Sequence, residues 1–448
     1  MGMNKTFRPW DVDQQHMFPP SVRDFVPEGH TAHFVREMVR EDLDLSAIYA
    51  AYDEARGFPP YHPAMMTALL LYAYSQGVYS SRRIEKGCEE RVDFMAVTGM
   101  SKPDHSRINE FRRRHRDALK GLFVQVLGLC REAGLVTLGH VSLDGTKVKA
   151  NASKHAAMSY KRMQKAEREL KEEVDRWMRR AEDVDEREDG QYGKDRRGDE
   201  MPEWVKNKQK RIETIREAKA RLEAAAKEEA EEQKRERAKK EKERGGPLPG
   251  RKPEEKEPVP DPEAQSNFTD PESRILKTRD GFVQGYNGQA AVDSESQVIV
   301  AQGVEAKQND HDELEPMMDA IQENTGEYPE EASADAGYIS EENIVALEAR
   351  GIEGYIATGR QKHGTSSATK AEKGPPKSPI LRGMWARLRR GGRRSRYRLR
   401  KQTVEPVFGQ IKGARGFRQF LTRGIEMVRL EWSLVTTAHN VLKLAAAR

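Results

Sequence analysis

Several residue types that define common protein classes are scarce in this chain of 448 residues. Cysteine occurs only as Cys88 and Cys130, without a Cys-x-x-Cys pair, which excludes a disulfide framework and a cysteine-rich zinc site. No run of eighteen uninterrupted apolar residues is present, and the first residues lack the hydrophobic core of a signal peptide. We therefore expect a soluble, cytoplasmic protein.

A large excess of one charge is also missing, since the net charge is only +5. Charged residues nevertheless make up 34% of the chain, and the two signs are separated into blocks along it. Local blocks therefore say more about binding partners than the total charge does. The length is sufficient for two or three domains with large cores, so the fold needs no structural metal.

Residues 1–135 are predicted to form an all-helical N-terminal domain for DNA binding or oligomerisation. Apolar residues recur at three- and four-residue spacing, and proline and glycine interrupt the pattern between segments. The predicted helices span residues 31–39, 62–76, 81–88 and 106–133.

The basic segment 103–116 is the part of this region best suited to contact DNA. Asp104 would cap a helix whose outer face carries Arg107, Arg112 and Arg113. A solvated basic face with no role in recognition is an equally good interpretation, because basic charge alone carries no sequence readout.

A highly charged segment follows a first predicted strand, which lies within 136–154. Residues 155–265 contain mostly Lys, Arg, Glu and Ala and close with a linker rich in proline and glycine. Long charged helices are expected, with a possible hairpin around Trp177 and Trp204, and a solvated or partly disordered arm is the default. We interpret the segment as an insertion.

Residues 266–448 alternate between strand and helix patterns. Strands are predicted at 285–291, 297–304 and 354–357, with a short strand just before Asp335, and helices at 312–322 and 341–348. Together with the first strand, they predict an α/β fold with a mixed sheet flanked by helices.

Three acidic residues stand in settings that suit a catalytic site. Asp144 follows a β-branched run in His-Val-Ser-Leu-Asp-Gly and would sit at the tip of a strand, although Asp-Gly is also a common hairpin turn. Asp335 ends a short strand in the same way. Glu405 follows the basic block, and Pro406 means that its helix is either kinked or begins there.

The joint interpretation of these acids is a metal site. Two Asp at strand ends and a Glu on a later helix can converge, and three carboxylates at one point repel unless cations bind. Oxygen ligands without His or Cys favour Mg²⁺ or Mn²⁺, and two such ions can promote in-line phosphodiester displacement. Asp310 and Asp312 could also approach the metals, but Asp312 is better explained as a helix cap.

A dense basic run surrounds the third acid, and no acidic residue occurs between Lys373 and Val404. Such a composition is typical of segments that bind along the phosphate backbone of a nucleic acid, although a solvated loop is the common alternative. The predicted DNA-contacting residues here are Arg389, Arg390, Arg393, Arg394, Tyr397, Arg400, Lys401 and Lys412.

The motifs resemble those of bacterial insertion-sequence DDE transposases. The similar segments are VSLDGTKVKANAS, DPESRILK, GYNGQAAVD, ADAGY and VEPVFGQIKG, and PPYHPAMMTALLLYAYSQGVYSSRRIE resembles the helical domain that precedes the catalytic domain in one bacterial group. The resemblance implies an RNase H-like catalytic domain shared with retroviral integrases, acting at the nucleoid. It also implies that Asp144, Asp335 and Glu405 form the catalytic triad.

The signature of Tyr, Arg, Glu and Lys that surrounds the family's glutamate is met only in part. Lys412 stands seven residues after Glu405 as expected, whereas Tyr397 and Arg400 lie one residue too far upstream and Lys401 occupies the usual Arg position. Either Arg400 or Lys401 would then face a phosphate of the bound DNA.

The leading hypothesis is a cut-and-paste transposase that binds terminal inverted repeats and target DNA as a dimer or higher oligomer, with two Mg²⁺ or Mn²⁺ ions per active site. A metal-dependent nuclease of the same fold, which cuts without joining, is the alternative among enzymes. A catalytically silent DNA-binding protein is the alternative outside them.

Overall fold

The structure is a computed structural model, and it describes most of the chain. The described residues are 21–52, 60–192, 203–244, 246, 258–278, 281–306, 310–359, 375–390 and 396–448.

The N-terminal region is helical in its described part. Its helices are α1 (Thr31–Glu41), α2 (Ser46–Tyr49), α3 (Pro63–Ser75), α4 (Ser81–Glu90), α5 (Val92–Thr98), α6 (His105–Arg114) and α7 (Arg116–Glu132). Helix α3 is buried along almost its whole length because it is apolar on all faces. The prediction of a single helix over 106–133 is wrong, because the helix is interrupted at His115. The Nε2 atom of this buried histidine lies 3.0 Å from the Tyr52 hydroxyl.

A mixed sheet forms the centre of the rest of the chain, as predicted. Its main strands are β1 (His140–Lys149), β4 (Arg274–Thr278), β5 (Gly281–Asp293), β6 (Ile299–Glu305), β7 (Glu331–Ala334) and β8 (Glu353–Ile356). Two further short strands, β2 (Ala157–Ser159) and β3 (Gln265–Asn267), pair with each other. In the main sheet the order is β4-β5-β1-β7-β8, and β6 also pairs with β5. Strand β5 runs antiparallel to β1, β4 and β6, whereas β7 is parallel to both β1 and β8.

The remaining helices cover the sheet or extend away from it. They are α8 (Tyr160–Tyr192), α9 (Glu203–Arg244), α10 (Leu314–Thr325), α11 (Glu341–Ala349), α12 (Pro379–Arg390), α13 (Arg400–Gly409) and α14 (Ile425–Ala446). Helix α14 is buried over most of its length and packs against α3, α7 and β6. The N-terminal helices and the sheet therefore share one hydrophobic core.

The charged segment forms the helical hairpin that the sequence suggested. Glu167 of α8 pairs with Arg216 and Lys219 of α9, and Glu173 further along α8 pairs with the earlier Lys208, so the two helices run antiparallel. Two small apolar clusters hold the helices together, one around Met163 and Ile215 and the other around Val174 and Val205. The rings of Trp177 and Trp204 pack edge to face, with their centroids 6.1 Å apart.

Within the described part of the chain, no helix is both long enough and apolar enough to cross a membrane.

Candidate active site

Asp144 lies inside a continuous strand, which corrects the prediction that its strand ends there or turns. Strand β1 pairs with β5 along Val141 to Lys149, and Asp144 stands opposite Ala290. On its other side β1 pairs with β7 only as far as Leu143 and Ala334. The neighbouring strand thus stops one residue before Asp144, and this leaves the carboxyl group at an open edge of the sheet.

Asp335 reaches the same edge because it follows the last residue of β7. Since β1 and β7 are parallel and Leu143 pairs with Ala334, the next residues of the two strands are Asp144 and Asp335. The Asp335 side chain is fixed by the backbone N–H of Gly337, which donates to Oδ1 at 2.7 Å. The register of two strands from distant parts of the chain therefore brings two predicted catalytic carboxylates together.

Arg400, at the start of α13, lies between these two acids. Its Nη2 atom is 2.8 Å from Oδ2 of Asp144 and 3.9 Å from Oδ2 of Asp335. Burial raises the pKa of Asp144 to about 6, with Arg400 opposing the shift and Asp335 adding to it. The arginine is itself largely buried, so one guanidinium compensates a pair of poorly solvated carboxylates.

Glu405 occupies a different position from the two aspartates. It is exposed on α13, whose buried side carries Val404, Val407 and Phe408, and it forms no ion pair or hydrogen bond with any described residue. Helix α13 passes through Pro406 and continues as a π-helical turn, Gln410–Ala414.

A side chain from a neighbouring segment helps α13 to accommodate its proline. Proline removes the backbone N–H that would bond to the carbonyl four residues earlier, which here belongs to Gln402. The side-chain amide of Gln297 donates to that carbonyl instead, at 2.9 Å.

Two of the predicted basic and aromatic residues are directed inward. Lys412 donates to the carbonyl of Lys147 on β1 at 2.6 Å, and burial lowers the pKa of its amine to about 8. Tyr397 is buried beside Arg400. Lys401, by contrast, is exposed. Of the two cations that the sequence left open, Arg400 therefore faces the carboxylates and Lys401 faces solvent.

The predicted DNA-contacting arginines divide in a similar way. Arg112 is buried, donates to the carbonyl of Tyr79 at 3.0 Å and stacks on Tyr74, which corrects its assignment as a surface contact. Arg107 is exposed and pairs with Glu110, and Arg113 is exposed.

The basic run near α12 is only partly described. Arg389 and Arg390 are exposed at the end of α12, with Arg389 stacked 4.4 Å from the ring centroid of Trp385. Arg393 and Arg394 lie outside the described residues.

A third aspartate lies close to the pair. The two side-chain amides of Asn287 and Gln289 on β5 donate to Oδ1 of Asp310 at 2.6 and 2.7 Å. The hydroxyl of the buried Tyr338 donates to the other end of the Gln289 amide. Asp312 is not the helix cap that was expected, because α10 begins after a short 3-10 turn and its N-cap, Glu313, makes no side-chain cap.

The donor set suits a hard divalent cation in its chemistry, since it consists of carboxylate oxygens only. Arg400 already places positive charge between Asp144 and Asp335, where a bound cation would have the same electrostatic effect. Among the described residues, no three acidic, His or Cys side chains are arranged to hold a metal ion.

Comparison with known proteins identifies the class. Residues 20–114 match the family model described as a transposase domain (DUF772), and residues 259–441 match the transposase DDE domain. The second match includes Asp335 and Glu405, whereas Asp144 precedes it. Comparisons with curated proteins and with solved structures found no match. The chain belongs to the insertion-sequence DDE transposases, and its family acts in DNA transposition.

Proposed function

We propose that this protein is a cut-and-paste transposase that cleaves DNA at the terminal inverted repeats of its element and joins the 3′-hydroxyl ends to target DNA. The observation that carries the proposal is the meeting of Asp144 and Asp335 where the parallel pairing of β1 and β7 stops, with Arg400 between them. Asp144, Asp335 and Glu405 are the proposed catalytic and metal-binding residues.

An RNase H-like fold for the catalytic domain is part of this proposal. The order of the strands supports it, since β1 lies at the centre between the antiparallel strand β5 on one side and the parallel strands β7 and β8 on the other. The α8/α9 hairpin lies between β2 and β3, which pair with each other outside the main sheet, so it is a peripheral connection. We therefore propose that residues 155–265 are an insertion between residues 136–154 and 266–448 of one catalytic domain.

Each protein group near the carboxylates has a role that follows from its chemistry. Asp144 and Asp335 hold negative charge at the open edge of the sheet and would bind Mg²⁺ or Mn²⁺, two ions per site. Bound divalent ions would activate the attacking oxygen and stabilise the leaving one. Arg400 compensates the same carboxylates in the protein alone, and Lys412 fixes the end of α13 against β1.

Exposed cations are the proposed contacts with the DNA backbone. Arg107 and Arg113 on α6, Arg389 and Arg390 on α12, and Lys401 on α13 are all exposed. Their charges can neutralise phosphates without reading sequence, and each phosphate contact steepens the salt dependence of binding. A dimer or higher oligomer is proposed because two ends of one element must be processed together.

The test is cleavage and joining of DNA that carries the element's ends, with Mg²⁺ present. Asp144→Asn and Asp335→Asn should each reduce cleavage by at least about 100-fold, because each removes a charged ligand and metal sites are sensitive even to their supporting residues. Glu405→Gln should do the same, whereas Glu341→Gln on α11 should remain active.

Three other outcomes would contradict parts of the proposal. Nicked product without joined product would indicate a nuclease that does not transfer strands. Cleavage that survives Asp144→Asn would indicate a catalytically silent protein and a contaminating nuclease. Cleavage that survives Glu405→Gln alone would remove Glu405 from the catalytic set.

A further inference from the structure

The end of β1 and the segment between α13 and α14 lie side by side and carry basic side chains. The N–H of Lys149 donates to the carbonyl of Arg418 at 3.2 Å, and the N–H of Phe420 donates to the carbonyl of Lys149 at 2.8 Å. Beyond the strand, the side-chain amide of Asn151 donates to the carbonyl of Leu421 at 2.8 Å. We call the cations of these two segments the β1-end patch, and they are Lys147, Lys149, Arg418 and Arg423.

The segment between α13 and α14 is held firmly on its inner side. Phe417 and Phe420 are buried and pack against the ring of Trp432. The buried carboxylate of Glu431 accepts the backbone N–H of Thr422 at 3.0 Å and its hydroxyl at 2.7 Å. The exposed arginines of this segment therefore project from a fixed backbone.

Three of the four cations donate to backbone carbonyls and not to carboxylates. Lys147 does so through Nζ at 2.8 Å, and Arg418 and Arg423 do so through Nε at 3.1 and 3.0 Å. Such a contact orients a cation but leaves its charge in place. Because each arginine uses only Nε, its two Nη atoms have no hydrogen-bond partner among the described residues. A guanidinium with free Nη groups can bind a phosphate through parallel N–H bonds.

The acids that border the patch are occupied by other groups. Glu272 accepts the backbone N–H of Ile425 at 2.6 Å. Asp270 is buried and accepts the backbone N–H of Gly424 at 3.3 Å. No described carboxylate forms an ion pair with any cation of the patch. The positive charge of the β1-end patch is therefore left for an anion outside the protein.

The position of the patch points to a long, regularly charged anion. Lys149 is five residues beyond Asp144 on the same strand, a distance of about 17 Å at the usual rise of a β-strand. Its cations are spread over two segments and do not surround a single pocket, which suits a row of phosphates better than one small anion. The DNA backbone carries its charges in such a row.

We propose that the β1-end patch binds the phosphate backbone of DNA beside the site where Asp144 and Asp335 meet. The inference rests on the proposed function, because it takes that site as the place where DNA is cleaved. It adds four cations to the proposed DNA contacts, none of which lies in the basic run before Glu405.

The test measures DNA binding by the full-length protein at several salt concentrations, without a divalent metal, by fluorescence anisotropy. Lys149→Gln and Arg423→Gln should each reduce the slope of log K against log salt concentration by about 0.9, and the double variant should reduce it by about 1.8. Each variant should weaken binding of an element-end duplex and of an unrelated duplex by the same factor, because a phosphate contact does not read sequence.

Two further variants separate charge from structure. Arg423→Lys keeps the charge and should retain the wild-type slope. Arg131→Gln is the matched control, since Arg131 is also exposed and donates to a backbone carbonyl, that of Thr325, but its charge is paired with Glu327. It should bind DNA as the wild type does. Lys149→Gln keeps the test informative if Arg423→Gln does not fold, because the exposed Lys149 side chain has no described partner to lose.

The possible failures are distinguishable. If the slopes of Lys149→Gln, Arg423→Gln and the double variant equal that of the wild type, the patch does not contact DNA and the proposed function stands. If the loss is confined to the element-end duplex, the patch reads bases and its assignment to phosphates is wrong. If Arg423→Lys loses as much as Arg423→Gln, the arginine acts through its hydrogen bond and not its charge. If the wild type binds neither duplex at low salt, the proposed function fails as well.

Discussion

At the scale of single residues, the arrangement of Arg400 has the clearest consequence. It compensates Asp144 at 2.8 Å in a largely buried setting, and its Nε atom has no hydrogen-bond partner among the described residues. Its Nη2 atom is committed to the two aspartates and does not point into solvent. We therefore interpret it as the group that stabilises the carboxylates before a cation binds.

Replacing this arginine should make stability depend on divalent cations. In Arg400→Gln the charge of Asp144 remains buried without its partner, so we expect a loss of about 3 kcal/mol in the free energy of unfolding. Mg²⁺ should restore more of the stability of the variant than of the wild type. Urea unfolding with and without Mg²⁺ measures both effects. The control is Lys401→Gln, at an exposed position one residue further along the helix, and it should leave the free energy of unfolding unchanged. Equal stability of Arg400→Gln and wild type would contradict our interpretation of the ion pair.

His439 predicts a pH effect that is independent of the catalytic site. Its Nδ1 atom accepts from Arg415 at 3.0 Å and its Nε2–H donates to the carbonyl of Gln297 at 2.9 Å, so the buried ring must be neutral. Burial first, and then the charge of Arg415, lower the pKa of His439 to about 3. The unfolded chain takes up this proton near pH 6.5 and the folded chain does not, so stability falls as the pH drops below about 6.5.

The measurement compares unfolding at pH 6.5 and pH 4.5. One such histidine accounts for a loss of about 2 to 3 kcal/mol over that interval. Between pH 6.5 and pH 4.5, the loss in free energy of unfolding should therefore be smaller in His439→Gln than in the wild type by about this amount. The difference does not depend on how stable the variant is at pH 7. His311→Gln, at an exposed position, should show the wild-type pH dependence.

At the scale of elements, α14 joins the N-terminal helices to the strand that supports the site. The Trp432 ring packs directly on Gly288, where a Cβ atom would lie only 3.1 Å away, and its indole N–H bonds to Gln289. The apolar spacing between Ile425 and Leu444 is typical of a helix with Trp432 on its buried side, and α14 has this form. The pattern of apolar residues was sufficient here because a helical face depends on local spacing.

Shortening this tryptophan tests the connection. Trp432→Phe should cost about 2 kcal/mol, because a cavity forms and a buried carbonyl loses its donor, and Trp432→Ala should cost about 3 to 5 kcal/mol. Chemical unfolding measures the difference. Trp204→Phe, on the exposed face of the α8/α9 hairpin, should change stability by well under 1 kcal/mol. If Trp432→Phe left the free energy of unfolding unchanged, the hydrogen bond to Gln289 would contribute little to stability.

At the scale of the whole molecule, the α8/α9 hairpin is attached at one narrow point. Its first residue bonds to the end of the linker, with the N–H of Tyr160 donating to the carbonyl of Ala264 at 2.8 Å. The apolar cluster at its base includes Phe268, whereas the second cluster around Val174 and Val205 contacts only the hairpin itself. The outer part should therefore be dispensable for folding.

A deletion tests this independence. Replacing residues 172–211 with a short Gly-Ser turn removes Val174 and Val205 from the outer cluster but keeps Met163, Ile215 and Ala218 at the base. We expect the shortened protein to fold, with a thermal midpoint within a few degrees of the wild type and an unchanged near-ultraviolet circular dichroism spectrum. A matched deletion that also removes residues 161–171 and 212–222 should expose Phe268 and reduce solubility. Failure of the first variant to fold would show that the hairpin is an integral part of the core.

The sequence alone was sufficient to place most elements and the mixed sheet, because strand and helix periods are local properties of the chain. It also predicted that Asp144 and Asp335 would lie close together, and the register of β1 and β7 places them side by side. It did not show that β1 continues through Asp144, since an Asp-Gly pair in a strand and in a turn look alike until the partner strand is known.

Only the tertiary structure decided which charges meet. The parallel register of β1 and β7 brings together two aspartates that are 191 residues apart along the chain, and the packing of α13 turns Arg400 toward them while Lys401 and Glu405 face solvent. Burial likewise removed Arg112 from the surface. These outcomes depend on contacts between distant segments, and no local pattern of residue types contains that information.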